Sequence, residues 1–302
     1  MTYYYIHPFR PQYFFPKGFK EHAVFTNFFK PFSFLGNLSW WLFNNSAGYR
    51  LLFKKENIEA FIPEDNIRKV CGKTALMAFN IGTVGPEQKI TALGYERNTY
   101  FFIKYAKTPL SISNVKNEYA VLNAVKSLNF VPSVESFHEV QNNVLLKTNV
   151  LHGHKLGALK ANDSILERTI QISKIKYSFN HNTKNNLKSV FAHGDFCPWN
   201  MMLSDGEILV FDWEMGGNYP LGYDLFTYIF QTSFLLEPDI AVTEILSENN
   251  QIISSYFIYF KIFDWYPYLL AFAEIKIKLE QRKTRGGLLG HFNKLLVYAQ
   301  DL

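Results

Sequence analysis

The spacing of apolar positions changes along this chain, and the change divides it. From Thr74, short apolar runs punctuated by turn residues predict strands. Thr74 to Ile81 is the first, Gly82-Thr83-Val84-Gly85-Pro86-Glu87 a turn, and Lys89 to Leu93 the returning strand. Asn98 to Ala106 reads as the next. Val115 to Ser127 then takes helical spacing, with Tyr119, Leu122 and Val125 around one face. Val134 to Val140 and Asn143 to Val150 predict a hairpin around Gln141-Asn142. Residues 165–180 predict a helix, 181–188 a polar Asn/Lys loop, and Val190-Phe191-Ala192 a buried strand. Met201 to Leu203 and Ile208 to Asp212 form a further hairpin across Ser204-Asp205-Gly206-Glu207. Beyond Tyr223, long apolar stretches of helical spacing alternate with short breaks. Residues 1–70 commit to neither period, because Pro, Phe and Tyr interleave there with Trp40-Trp41.

This order predicts an α+β chain with a mostly β front half carrying one helix and a mostly helical back half. Residues 74–150 make the small β-rich part and residues 151–302 the larger helical part. Residues 1–73 form an N-terminal extension packed on the small part by default. A length of 302 residues suits two domains or one large bilobal unit. No repeat of fixed period is visible.

Composition narrows the class. Hydrophobic content of 48% with 19% charged residues is that of a soluble globular protein with a sizeable core. The 29 Phe and 18 Tyr read as bulk for that core rather than as an aromatic binding surface. The net charge of +5 sits in residues 1–80, where ten Lys/Arg face five Asp/Glu; the remainder balances at 21 against 21. With no Lys/Arg block, the excess does not predict nucleic-acid binding. Cys71 and Cys197 are too far apart in sequence for a metal-type pair, and a reducing cytoplasm is expected. The first ten residues make a poor signal peptide. Lys261, Asp264, Pro267 and Glu274 interrupt the most apolar stretch, Ser255 to Ile275, so no membrane span is expected.

The chemistry concentrates in His193-Gly194-Asp195-Phe196-Cys197-Pro198-Trp199-Asn200 and Phe211-Asp212-Trp213-Glu214. A carboxylate is followed by a carboxamide after five residues and by a second carboxylate after seventeen. Phosphoryl transfer needs one group to orient a hydroxyl nucleophile and two oxygen ligands to hold magnesium on nucleotide phosphates. Asp195 is the candidate base; Asn200 and Asp212 are the candidate metal ligands. Glu214, two residues after Asp212, could reach metal or substrate if the segment is extended. Lys104 lies inside an apolar strand, where a buried ammonium must find an anion. Glu118 on the following helix could pair with it and leave the ammonium facing phosphates, with Glu96 the weaker competitor. Gly82 and Gly85 could let the turn approach phosphates with backbone N–H groups. His193 reads as a packing and hydrogen-bonding support for the loop, and Asp224 as a helix-start carboxylate that could brace it. His152-Gly153-His154 is too short to be a metal site, and Cys197 is a small filler rather than a nucleophile.

His193-Gly194-Asp195 through Asn200, with Phe211-Asp212-Trp213-Glu214 and Gly222-Tyr223-Asp224-Leu225, resembles the aminoglycoside phosphotransferase and choline kinase superfamily, a relative of the protein kinases. The specific match covers about residues 190–226, and a looser one runs from Thr74 to the C-terminus. The resemblance implies a bilobal protein kinase-like fold, with a small antiparallel β-rich N-lobe, a larger mainly helical C-lobe and a nucleotide between them. It implies ATP or GTP as donor and Mg²⁺ as cofactor, with Asp195 as base and Asn200 and Asp212 on the metal. It places the strand lysine and helix glutamate on Lys104 and Glu118. The glycine turn departs from the family version, and residues 1–70 have no assigned counterpart. The acceptor stays open among a sugar or glycan precursor, choline or another amino alcohol, and an aminoglycoside. Glu237, Asp239, Glu244 and Asp264 are available for a cationic one. The rival from another class is a catalytically silent nucleotide-binding or scaffold protein; a kinase acting on proteins ranks lower. The sequence sets no oligomeric state.

Overall fold

Alternation along the strands decides what covers each face of the main sheet. In a computed structural model, which describes residues 1–6, 11–29, 34–140, 142–157, 160–176, 187–283 and 287–301, the chain divides into two compact units. The first comprises Met1–Tyr119 and Ser133–Val150, the second Ala120–Pro132 and Leu151–Leu302.

The first unit runs β1 (Tyr3–Ile6), β2 (Tyr13–Pro16), α1 (Ala23–Phe28), α2 (Phe34–Asn45), α3 (Ala47–Leu52), β3 (Lys54–Lys55), α4 (Glu64–Cys71), β4 (Leu76–Asn80), β5 (Lys89–Glu96) and β6 (Thr99–Ala106). Helix α5 (Pro109–Ala124) and the hairpin strands β7 (Val134–Val140) and β8 (Asn143–Asn149) follow. The strands form one antiparallel sheet in the order β3-β1-β2-β4-β5-β6-β8-β7. Phe101, Ile103 and Tyr105 of β6 share a face with Met77, Phe79, Ala92 and Phe14, closed over by Ile58, Ile62, Ile67 and Cys71. On the opposite face Ala78, Leu93, Phe15 and Ile6 pack under Phe19, Phe25, Trp40 and Phe43.

Most of the described aromatic residues of the first seventy positions are therefore core, with Trp41 an exposed exception. Phe15 alone meets the rings of Phe19, Phe29, Trp40 and Phe43 at centroid distances of 5.2–5.9 Å. This is why that segment showed no clean period. Its short strands and helices bury bulky rings against both faces of a sheet whose other strands come later in sequence.

Beyond Leu151 the second unit runs through β9 (His154–Lys155) and α6 (Asp163–Ser173), capped by Asn162, whose Oδ1 accepts from the Ile165 N–H. Strand β10 (Ser189–Ala192) leads into the conspicuous loop; β11 (Met201–Ser204), β12 (Glu207–Val210) and β13 (Gly217–Pro220) follow. Strand β10 pairs with β13, and β12-β11-β9 form a second small sheet. Helices α7 (Tyr223–Phe226), α8 (Thr232–Leu236), α9 (Val242–Tyr259), α10 (Tyr266–Arg282) and α11 (Leu289–Gln300) complete the unit, with a π-helical turn at Thr227–Gln231. Their core includes Leu225, Phe226, Phe230, Ile253, Phe257, Leu269, Phe272 and Phe292. The α+β class is as expected: antiparallel strands dominate the N-terminal part and helices the C-terminal part.

The helix expected over 165–180 ends at Ser173, where the Lys174 N–H closes on the Ile170 carbonyl; residues 177–180, the 181–186 portion of the polar loop and Gln141 of the predicted turn lie outside the described residues. Residues 7–10, read for a signal peptide, lie outside them as well. Among the described residues no helix is long and apolar enough to cross a membrane.

Candidate active site

The loop after β10 is held by its backbone before any side chain is considered. Gly194 has φ 86°, a left-handed conformation, and a Cβ there would lie 2.3 Å from the Met215 carbonyl oxygen. The buried Asp224 carboxylate then accepts from the His193 N–H at 2.7 Å and the Gly194 N–H at 3.0 Å. Burial raises the Asp224 carboxyl above the ordinary carboxylate range, while His193 and these two N–H donors act in the opposite sense. Asp224 thus braces the loop from the start of α7. His193 is fully buried, accepts from the Asp195 N–H through Nδ1 at 3.2 Å, and donates from Nε2 to the Phe211 carbonyl at 3.0 Å. Those two partners call for the Nε2–H tautomer. The Trp213 ring lies against the imidazole at 4.6 Å.

Asp195 sits in the mouth of this frame with a donor on each carboxylate oxygen. Asn200 Nδ2 donates to Oδ2 at 2.9 Å and to the Asp195 carbonyl at 2.9 Å. Gln231 Nε2 donates to Oδ1 at 2.8 Å. A carboxylate only accepts, so Asn200 must turn its amide nitrogen toward Asp195, which leaves its Oδ1 for another ligand. Pro198–Asn200 form a single 3₁₀ turn, and the Asn200 carbonyl accepts from the Phe211 N–H at 3.0 Å. That bond ties Asn200 to the segment carrying Asp212.

Asp212 does not extend its strand. Strand β12 ends at Val210, and Asp212 takes φ 68°, ψ 55°, the left-handed region that is sparsely used outside glycine. Asp is among the residues that tolerate it best, and such backbone concentrates at functional sites. Trp213–Met215 then make a 3₁₀ turn, anchored by Trp213 Nε1–H on the Val210 carbonyl at 2.9 Å. The segment is therefore not extended, yet the turn still brings the Asp212 and Glu214 carboxylates within 4.8 Å of one another.

In the first unit, Lys104 and Glu118 are brought together at 2.5 Å, with side chains only 8% and 3% exposed. Glu96 is occupied elsewhere, accepting from the Thr74 hydroxyl at 3.1 Å. The two glycines of the β4–β5 turn differ. Gly82 has φ 68°, and its Cβ would meet the Lys89 carbonyl at 2.6 Å; its N–H already donates to Asn80 Oδ1 at 2.9 Å. Gly85 has open space around its Cβ position.

Two residues escaped the sequence reading. Gln231 sits at the end of the π turn, and Lys276 on α10 donates to Gln231 Oε1 at 2.9 Å. Gln231 also lies 3.2 Å from the Cys197 sulfur. The only hint of Gln231 was a polar side chain after Tyr228-Ile229-Phe230. Lys276 looked like any lysine on an amphipathic helix. Cys197 is fully buried, and burial followed by the neighbouring Asp195 charge pushes its thiol well up, which suits a filler and not a nucleophile.

A cavity of about 100 Å³ in the second unit is lined by Lys160, Tyr228, Thr232, Glu237 and Asn249, among others. Asp239, Glu244 and Asp264 are exposed.

Comparison with known proteins gives the same direction as the loop. Residues 179–244 match the model of the APH family, described as the phosphotransferase enzyme family. No curated protein matches the chain. Among solved structures, the chain is similar to the amicoumacin kinase hAmiN in complex with AMP-PNP, Ca²⁺ and Ami. The TM-score is 0.52 and the identity 12%, over 79% of this chain and 94% of that one. It is also similar to aminoglycoside phosphotransferase APH(3'')-Id from Streptomyces rimosus, at TM-score 0.47 and 12% identity over 67% and 92% of the two chains. A third is aminoglycoside phosphotransferase APH(4)-Ia, at 0.46 and 12% over 81% and 96%. At such identities the first of these establishes a shared fold.

Proposed function

We propose that this chain, with the phosphotransferase family match over its loop region as premise, transfers the γ-phosphoryl group of ATP or GTP to a hydroxyl of a small molecule. The acceptor classes are a sugar or glycan precursor, a choline-like amino alcohol, and an aminoglycoside. The observation that carries this reading is the Asp195 carboxylate, held by an amide N–H on each oxygen in a loop braced by Asp224.

A carboxylate fixed by two donors still has lone-pair sites for a third partner, and an alcohol hydroxyl is the partner that phosphoryl transfer requires. Asp195 orients the hydroxyl and takes its proton as the oxygen attacks phosphorus. Asn200 Oδ1 and the Asp212 carboxylate are hard oxygen donors of the kind magnesium takes, so this donor set fits the ion. Magnesium, when bound, offsets the negative charge of the nucleotide phosphates. Lys104, oriented by Glu118, adds a second positive charge against those phosphates. Glu214 is the further candidate for metal or acceptor contact. Gly82 shapes its turn while its own N–H is engaged by Asn80, so phosphate contact from this turn falls to Gly85 and its neighbours.

The test is a magnesium-dependent ATP- and GTP-consumption screen against alcohols, sugars, amino alcohols and aminoglycosides. Consumption stimulated by one class supports the reading and names the acceptor. Tight nucleotide binding with no stimulated consumption by any class would favour the silent scaffold instead.

A further inference from the structure

Lys276 is a buried ammonium that the chemistry above does not use. It is 4% exposed and forms no ion pair among the described residues. Its ammonium lies 5.1 Å from the Tyr223 ring centroid and 5.7 Å from that of Phe272, and its hydrogen bond goes to Gln231. Ring faces offset only part of the desolvation of a buried cation. Burial pushes Lys276 below the ordinary lysine range, and Asp195 is the strongest of the charges opposing that shift. The nearest compensation is thus one side chain away, beyond Gln231.

The chemistry of the three groups permits one orientation of the amide between them. An ammonium only donates and a carboxylate only accepts. Gln231 must therefore turn Oε1 to Lys276, at 2.9 Å, and Nε2 to Asp195 Oδ1, at 2.8 Å. Flipping the amide would set the nitrogen against the ammonium and the oxygen against the carboxylate. Lys276 also draws electron density toward Oε1, which makes the Nε2–H a stronger donor. With Asn200 on Oδ2, the bond from Gln231 on Oδ1 stops the carboxylate from rotating.

We propose that Lys276 is a positioning residue for phosphoryl transfer, fixing the Gln231 amide and, through it, the rotation of the Asp195 carboxylate. The proposal rests on the reading of Asp195 as base, and the π turn at Thr227–Gln231 is what aims Gln231 at the loop.

The experiment uses the full chain with Lys276→Met and Gln231→Glu, each checked for folding by thermal melting. Lys276→Met removes the charge at similar volume. Gln231→Glu keeps a partner for Lys276 but removes the donor to Asp195, so folding persists while positioning is lost. Two readouts are taken: phosphate release from magnesium–ATP with water as acceptor, and the side-chain amide signals of Gln231 in ¹⁵N NMR spectra. In Lys276→Met the amide signals should shift and exchange faster. In both variants kcat should fall about 10²-fold, the cost of an ångström-scale misplacement of a reacting group, with the ATP affinity within twofold of wild type. Unchanged amide signals in folded Lys276→Met, or wild-type kcat in either folded variant, would overturn the proposal. If Lys276→Met does not fold, kcat in Gln231→Glu decides. If the wild-type chain releases no phosphate to water, kcat is read with the acceptor that the screen selects; if no class stimulates consumption, the proposed function loses its support and the amide spectrum alone decides the positioning role.

Discussion

Removing Lys104 should disturb folding and nucleotide binding by separable amounts. The Lys104–Glu118 pair is 2.5 Å long, and its side chains are 8% and 3% exposed. Those exposures rule out the surface-pair value of about 0–1 kcal/mol. Losing one partner of a buried pair instead leaves the other charge without compensation, at about 3–5 kcal/mol. Lys104→Met should therefore lower the unfolding free energy by about that much, a large share of a typical total of roughly 5–15 kcal/mol. Glu118→Gln should cost a similar amount by stranding the ammonium. Removing both charges strands neither, so the double variant should recover at least about 2 kcal/mol relative to the sum of the single losses. Urea denaturation of the four proteins reads this coupling, and calorimetric titration with magnesium–ATP reads function. The double variant should regain stability without regaining nucleotide affinity, because the charge offered to phosphates is still missing. Additivity within about 0.5 kcal/mol would refute the buried-pair reasoning, and wild-type affinity in Lys104→Met would refute the phosphate role.

Further outcomes follow from the loop and its supports. Gly194→Ala must accept φ 86° and a Cβ 2.3 Å from the Met215 oxygen, so it should lose at least about 2 kcal/mol of stability together with turnover; a wild-type melting curve would contradict the contact. Burial raises the Asp224 carboxyl, so its contribution is fully present below the unfolded value and is lost as pH rises through the raised folded value. Urea midpoints from about pH 4 to 7 should then fall for wild type relative to Asp224→Asn as pH rises; a relative gain would show the wrong sign. Cys197 and Cys71 are buried, with Cys71 pushed up to about 12, so an aromatic disulfide reagent near pH 8 should find no fast thiol until the protein unfolds. A rapidly titrating native thiol would show one of them to be accessible.

What the sequence disclosed depended on how local the determinant was. The Asp195-to-Asn200 interval and the hairpin strands are set by neighbours within a few residues, and they were readable. Lys104 and Glu118 were readable because an ammonium in an apolar strand demands a partner, and α5 follows at once. Strands Tyr3–Ile6 and Tyr13–Pro16 were not, since they are strands only by pairing within a sheet whose main strands begin at Leu76. The strand-end geometry at Asp212 failed for a different reason. A left-handed aspartate leaves no trace in a hydrophobic pattern, so an extended backbone was expected to set Glu214 beside Asp212 where a turn does so instead. Gln231 and Lys276 lie 36 and 81 residues beyond Asp195 in sequence, and only the packing of the π turn against α10 brings them to it.

The central claim is that Asp195 acts as the base in phosphoryl transfer. Its most direct test compares wild type with Asp195→Asn in magnesium-dependent consumption of the nucleotide and acceptor selected by the screen, with nucleotide affinity measured on the same samples. The account predicts a loss of turnover of about 10²- to 10⁴-fold with nucleotide binding retained. Near-normal turnover in Asp195→Asn would contradict it.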